Sequence, residues 1–139
     1  MSITELQYHI KLRKGDVGRY VLLPGDPGRV PLIASYLTDA RKIAENREHQ
    51  TFTGTLDGVP VSVTSTGIGG PSTAIAVEEL AKAGSDTFIR VGTSGIMQDY
   101  MSSGDLIVVS AAVRDEGTAL HYMPMAFSAV ADLDVVNCL

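Results

Sequence analysis

Cysteine is almost absent. Cys138 stands alone among 139 residues, which excludes an internal disulfide and any cysteine-rich zinc site. Basic charge is in deficit, with 11 Lys and Arg against 16 Asp and Glu and a formal net charge of −5. Broad nucleic-acid binding needs a basic footprint and is therefore not expected. Aromatic residues make up 6%, and no run of like charge occurs. The longest apolar runs, such as "LIVVSAAV" at 106–113, are far too short to span a bilayer. The opening "MSITELQYHIKLRKGD" contains no apolar stretch of the kind a secretory signal carries. These absences lead us to expect a cytoplasmic protein with neither membrane nor nucleic acid as partner.

Familiar chemical motifs are missing too. No Walker A loop and no G-x-G-x-x-G occurs, so neither a P-loop nucleotidase nor a standard dinucleotide fold has support. "GTSGI" approaches the G-x-S-x-G nucleophile elbow but lacks its last glycine. His9, His49 and His121 show no metal-ligand spacing, which argues against a metal hydrolase.

What is present fits a folded domain. Hydrophobic residues reach 45%, and the length suits one domain with a real core. "YVLLPG" at 20–25 reads as a short buried strand ended by Pro-Gly. Asp26 caps the turn that follows, and Pro31 suits the first turn of a helix placed at about 31–38. "TFTGTL" and "VSVTST" at 61–66 read as strands, with "LDGVP" as a hairpin turn between them. "GIGG" is a turn, and "PSTAIAVEELAKAG" is a helix with Pro71 near its start and Gly84 past its end. Strands follow at 87–92 and 105–113, and a further helix begins within 129–139. The alternation predicts an α/β fold on a partly parallel sheet.

Three strand ends are alike: "LLPGDPGR", "VTSTGIGG" and "IRVGTSG". Each apolar strand runs into glycines and small hydroxyl residues. Ligands of open α/β sheets sit at the carboxyl ends of strands. Three such turns side by side would offer backbone N–H groups and hydroxyls to phosphate and sugar oxygens. Seven of the basic residues are arginines, whose donor fork matches phosphate geometry. Arg90 stands out, because a charge inside an apolar strand needs a partner. Taken singly, the other candidates have ordinary readings. Gly25 can be a plain turn glycine, Arg29 a solvated helix residue, and Arg47 a surface strand charge. Glu48 can simply pair with Arg47, and His9 can be a terminal residue without a role.

Together they are more specific. "PGDPGR", "REH", "STGIGGPSTAIAVEEL", "FIRVGTSG" and "GDLIVVSAAVRDEGTALHY" occur in that order and spacing. The set resembles the nucleoside phosphorylase family, with "STGIGGPS" and "EGTALHYMP" resembling its uridine-type members. The resemblance runs from about Tyr8 to the last residue. It implies an α/β three-layer sandwich around a mixed, partly barrel-like central sheet. It also implies phosphorolysis of uridine to uracil and ribose 1-phosphate, in pyrimidine salvage.

By that resemblance Gly25, Arg29, Arg90 and Thr93 hold phosphate, with Arg90 and Thr93 as the catalytic residues. Arg47 completes the site from a neighbouring subunit, and His9 reaches a neighbour's ribose. Thr93, Ser94 and Gly95 line the sugar and base. Glu48, Ile68 and Ser72 match positions that hold a monovalent cation such as K+ at a dimer interface. No cofactor is implied, inorganic phosphate being the co-substrate, and the assembly is a dimer-based homo-oligomer, a hexamer in the family. Family chains are roughly twice this length, so residues 1–139 are expected to be the N-terminal half of one domain. The other half carries the base-recognising Phe, Gln and Arg and the Met-Glu segment that grips the ribose. Alternatives stay open: a purine nucleoside phosphorylase, a nucleosidase using water, or a non-catalytic phosphate-binding or assembly fragment.

Overall fold

Strands β1 (Tyr20–Leu23), β2 (Thr38–Asn46), β3 (His49–Leu56), β4 (Val59–Thr64) and β5 (Thr87–Arg90) build one sheet in the order β2-β3-β4-β1-β5. The computed structural model describes residues 5–139. β1 runs parallel to both β4 and β5, while β2, β3 and β4 form an antiparallel meander. The sheet is therefore mixed, as the sequence pattern predicts.

Alternation along the strands divides the core between two faces. Val21 and Leu23 pack with Ile10, Leu12, Leu80 and Ala83 on one side. Leu22 points the other way, into a cluster of Val30, Ala34, Leu37, Val61 and Val63. Helix α2 (Gly70–Ala83) supplies Leu80 and Ala83, and the short helix α1 (Val30–Ala34) supplies Val30 and Ala34. One helix on each face gives the expected three layers. On α2, buried Ala76, Leu80 and Ala83 repeat at helical spacing, and the alanines let the helix lie close to the sheet. Gly84 ends α2 with a left-handed φ of 114° and donates its N–H to the carbonyls of Leu80 and Ala81.

Several boundaries differ from the sequence reading. The helix placed at 31–38 is a single 3-10 turn (Pro27–Arg29) followed by α1, which stops at Ala34. The chain turns at Ser35–Tyr36, and Thr38 opens β2 by pairing with Thr55. A tertiary ladder thus overrides the local helical pattern. β4 begins at Val59, because Leu56 and Val59 pair across the tight turn. β5 ends at Arg90, although Val91 still donates to Leu23 O.

The chain divides into two compact units, one ending at Gly92 and the other running Thr93–Leu139. In the second, β6 (Ala111–Ala112) pairs antiparallel with β7 (Ala129–Val130). The strand expected over 105–113 shrinks to those two residues. Its apolar pattern is strand-like, but a strand forms only against a second segment, and Leu106–Val109 lie exposed with no ladder. The helix expected within 129–139 is α4 (Leu133–Cys138), capped by Asp132, whose side chain accepts from the Asp134 and Val135 N–H groups. Between them, α3 (Gly117–Leu120) is capped by Glu116. Arg114 ties this unit together by donating to the carbonyls of Ala119, Met123, Pro124 and Phe127. Among the described residues, no helix is long and apolar enough to cross a membrane.

Candidate active site

The strand order places the carboxyl ends of β4, β1 and β5 next to one another, all pointing the same way. Pairing continues past the strands themselves. Thr66 N donates to Pro24 O and Gly67 N to Gly25 O, both at 2.9 Å, and Val91 N reaches Leu23 O at 3.1 Å. The chain ends of the three strands, at Pro24–Gly25, Thr66–Gly67 and Arg90–Val91, are thus held as neighbours. A cleft of about 530 Å³ opens among them, lined in part by Gly25, Asp26, Glu48, Gly67, Ile68 and Arg90.

Arg90 leaves the end of β5 and folds back over the backbone of β1. Its Nη1 donates to Leu23 O at 3.0 Å and to Val91 O at 2.8 Å. Gly25 makes room for it, since a Cβ there would lie 3.0 Å from Arg90 Nη2 and 3.3 Å from Gly67 O. Arg29, from the 3-10 turn, donates from Nη2 to the same Val91 carbonyl at 2.8 Å. Two guanidinium groups therefore converge on one carbonyl. Among the described residues neither has a carboxylate partner. Arg29 Nε is buried and has no acceptor among the described residues. Asp26, the nearby acid, is already engaged with Gly28 N at 2.8 Å. A buried cationic donor without an acceptor is costly. Two cations without a carboxylate partner among the described residues, beside a glycine-framed cleft, are an arrangement of donors that a bound anion could satisfy.

The remaining sequence candidates fall at different distances from this geometry. Arg47 sits at the turn between β2 and β3, exposed, with a φ of 53° that is unusual for a side-chain-bearing residue. No hydrogen bond joins it to Arg29 or Arg90 among the described residues. Glu48 follows it and lines the cleft; its Oε1 lies 2.8 Å from Ser72 Oγ, and Ile68 lines the cleft beside them. Its own backbone N–H, then the Ser72 hydroxyl, hold the Glu48 carboxyl below the usual range against the opposing effect of desolvation. Glu48, Ser72 and Ile68 are thus brought together. Thr93, Ser94 and Gly95 open the second unit as exposed chain.

His9 is engaged elsewhere. Its Nδ1 lies 2.7 Å from Glu79 Oε1, its backbone N donates to Glu79 Oε2 at 3.0 Å, and Ile10 N does so at 2.9 Å. Glu79 is a buried carboxylate on α2 that anchors the segment preceding β1. Burial pushes its carboxyl up, but the Ile10 N–H, the His9 ring and the His9 N–H outweigh burial and hold it below the ordinary value of 4.5. A depressed folded-state value means that this anchor is fully present above about pH 4.5 and is lost as pH falls through the lower folded-state value. Acid titration followed by circular dichroism should therefore show stability falling below pH 4.5 by a smaller amount in Glu79→Gln than in the parent. Equal acid sensitivity of the two would remove Glu79 from that account.

Sequence reading missed Glu79, which looks like one more helix-surface acid, and the cleft-lining Thr73, while Gly67 and Gly69 lay within the "VTSTGIGG" strand end without being named singly. The "GIGG" turn was the available signal. Gly67 has a φ of 70°, and a Cβ on it would meet Glu48 Cγ at 2.6 Å and Ser72 Oγ at 2.8 Å.

The model of the phosphorylase superfamily matches residues 19–139. The chain belongs to this superfamily. Among curated members it is 60% identical to a uridine phosphorylase of Thermococcus kodakarensis over 134 residues, which is 96% of this chain and 48% of that protein. It is 43% identical to a guanosine phosphorylase of Halorubrum lacusprofundi over 131 residues, or 94% of this chain and 54% of that protein. The solved structure of uridine phosphorylase from Vibrio fischeri ES114 superposes with a TM-score of 0.91 at 41% identity, covering 99% of this chain and 57% of that one. The phosphorylase fold implied by the sequence is thereby shown. The chain spans about half the length of the relatives it matches.

Proposed function

We propose that this chain carries the phosphate-binding half of a nucleoside phosphorylase of the uridine type. The observation that carries the proposal is the convergence of unpaired Arg29 and Arg90 beside Gly25, at the joined carboxyl ends of three parallel strands. Residues 1–139 are then the N-terminal half of one domain rather than an independent module.

In this reading a phosphate oxygen attacks the anomeric carbon of the ribose. The carbon–nitrogen bond breaks, its electron pair leaves with the base, and the base takes up a proton. Positive charge builds on the sugar ring as the bond lengthens. The protein's task is to hold the dianion in place and to neutralise it only in part. Arg90 and Arg29 supply fixed donors, and Thr93 adds a hydroxyl. No side-chain nucleophile is required. Arg47 and His9 are proposed to act across a subunit interface, a reading supported for Arg47 by its exposure and by the lack of a hydrogen bond to Arg29 or Arg90 among the described residues. Glu48, Ile68 and Ser72 would hold a monovalent cation, and the homo-oligomer and a cytoplasmic location belong to the same proposal.

The guanosine phosphorylase relative favours a second reading of the base, since this half matches proteins named for either class. Both readings share the phosphate chemistry. The deciding experiment incubates the 139-residue chain with uridine and with guanosine, with and without phosphate, and follows ribose 1-phosphate by NMR. Turnover that requires phosphate supports the proposal, and the faster nucleoside names the base class. Cleavage independent of phosphate would instead support a nucleosidase. A folded chain that binds phosphate without turnover would be a non-catalytic phosphate-binding fragment.

A further inference from the structure

Glu79 does more than anchor the segment before β1. Its carboxyl is held below the ordinary value of 4.5, so near neutral pH it is ionised and only accepts. Oε2 takes the backbone N–H groups of His9 and Ile10 at 3.0 and 2.9 Å, and Oε1 takes His9 Nδ1 at 2.7 Å. In the neutral ring the proton therefore sits on Nδ1, which leaves a lone pair on Nε2. Among the described residues no hydrogen bond reaches Nε2, and the His9 side chain is 31% exposed against 11% for Glu79. The imidazole thus bridges a sheltered carboxylate and the surface. It is held from other sides as well. Asn46 Nδ2 donates to His9 O at 2.7 Å, and the Tyr8 ring stands edge-to-face with the imidazole, 4.9 Å between centroids. The loop itself is closed by Gln7 N donating to Leu12 O and Lys11 N to Gln7 O, with Lys11 at a left-handed φ of 55°.

We propose that Glu79 is a positioning residue for ligand recognition: it fixes His9 as a hydrogen-bond acceptor at Nε2, and so selects a hydroxyl on the ligand. A buried carboxylate sets the tautomer and orientation of a histidine in the same way in serine-hydrolase triads. A hydroxyl can donate to the Nε2 lone pair, whereas a phosphate or carboxylate oxygen only accepts and would meet that lone pair with a negative charge behind it. The ligand class is a polyol, here the ribose of a nucleoside. That identification rests on the phosphorylase reading, in which His9 serves a neighbouring subunit, while the tautomer rests on the geometry alone.

Glu79→Gln separates this role from a merely structural one. A carboxamide has a single oxygen. Ile10 is fully buried and its N–H has no water to turn to, so the oxygen stays with the backbone and the NH₂ group turns to His9 Nδ1. Nδ1 must then accept, the ring proton moves to Nε2, and the exposed nitrogen becomes a donor. The test is long-range ¹H–¹⁵N NMR of the His9 ring in the whole chain at pH 8.5, where an imidazole is ordinarily neutral. Calorimetric titrations with phosphate, and with uridine in phosphate buffer, accompany it. The parent should show a protonated Nδ1 and a bare Nε2, and Glu79→Gln the reverse. Uridine affinity should fall about tenfold in the variant, the size of one hydrogen bond, with phosphate affinity unchanged. A bare Nδ1 in the parent overturns the proposal, and that spectrum decides the matter if Glu79→Gln does not fold. The same tautomer in both proteins, or reversed tautomers with equal uridine affinity, overturns it too. A parent that binds phosphate but no uridine removes the ribose from the assignment. A parent that binds no phosphate sinks the phosphorylase reading, while reversed tautomers in the same samples would still sustain the control of His9 by Glu79.

Discussion

Arg90→Ala is expected to weaken inorganic phosphate binding about a hundredfold, from two lost charge-assisted hydrogen bonds at about 1.5 kcal/mol each. Isothermal titration with phosphate at fixed ionic strength measures this directly. The guanidinium is already oriented by Leu23 O and Val91 O and lies over Gly25, so the side chain loses little freedom when phosphate binds. Arg90→Lys should recover only part of the loss, because an ammonium cannot hold two backbone carbonyls and still present a planar fork. Phosphate affinity equal to the parent's in a folded Arg90→Ala sample would mean that these arginines do not form the anion site. Rates of phosphorolysis, where turnover occurs, should fall at least as far, since phosphate is both nucleophile and counter-charge.

Glu79→Ala should destabilise the fold by about 3 kcal/mol or more, as read from urea unfolding. The carboxylate accepts from two backbone N–H groups and the His9 ring. Ile10, one of those donors, is fully buried, so its N–H has no water to turn to. Hydrogen bonds to a charged group contribute about 1.5–3 kcal/mol each, and a buried donor left alone costs about 1–3 kcal/mol. Ile10 and Leu12 also belong to the core cluster with Leu80, so loosening this anchor withdraws apolar contacts as well. Glu79→Gln retains an acceptor and should lose less. A midpoint in Glu79→Ala within about 0.5 kcal/mol of the parent, the range of ordinary surface substitutions, would show that the segment is held by packing alone.

Much of this arrangement was legible in the residues. Short strand-like runs bounded by Pro-Gly and Asp-Gly turns located β1, β3 and β4, and Pro71 with Gly84 bracketed α2. The likeness of three glycine-rich strand ends foretold neighbouring strand termini, and the parallel pairing of β1 with β4 and β5 sets those termini side by side. Arg90 was conspicuous as a charge in an apolar strand. What escaped was long-range. Nothing near Glu79 announces that residues 69 and 70 positions earlier will donate to it. The hydrophobic pattern at 105–113 predicted extended chain, yet pairing depends on a partner that local sequence does not name. The helix at 31–38 lost its second half to β2, whose ladder with β3 outweighs a weak helical preference. Arg47 kept its isolation, and a role for it rests on a second subunit.

The strand order also carries a consequence for how the chain acquires its shape. β2, β3 and β4 join through tight turns, so their ladders close over short stretches of chain. β1 must instead find β4, pairing Tyr20 with Val61, and β5, pairing Tyr20 with Thr87. Contacts between distant residues carry a larger loop-closure cost and tend to form late. The meander is the natural nucleus, and the insertion of β1 between β4 and β5 is the slow event. The arginine cleft exists only once that insertion is complete. Anion binding would then slow unfolding of the last-formed edge more than it speeds the first collapse, and the ligand would act as a clasp on the youngest part of the fold.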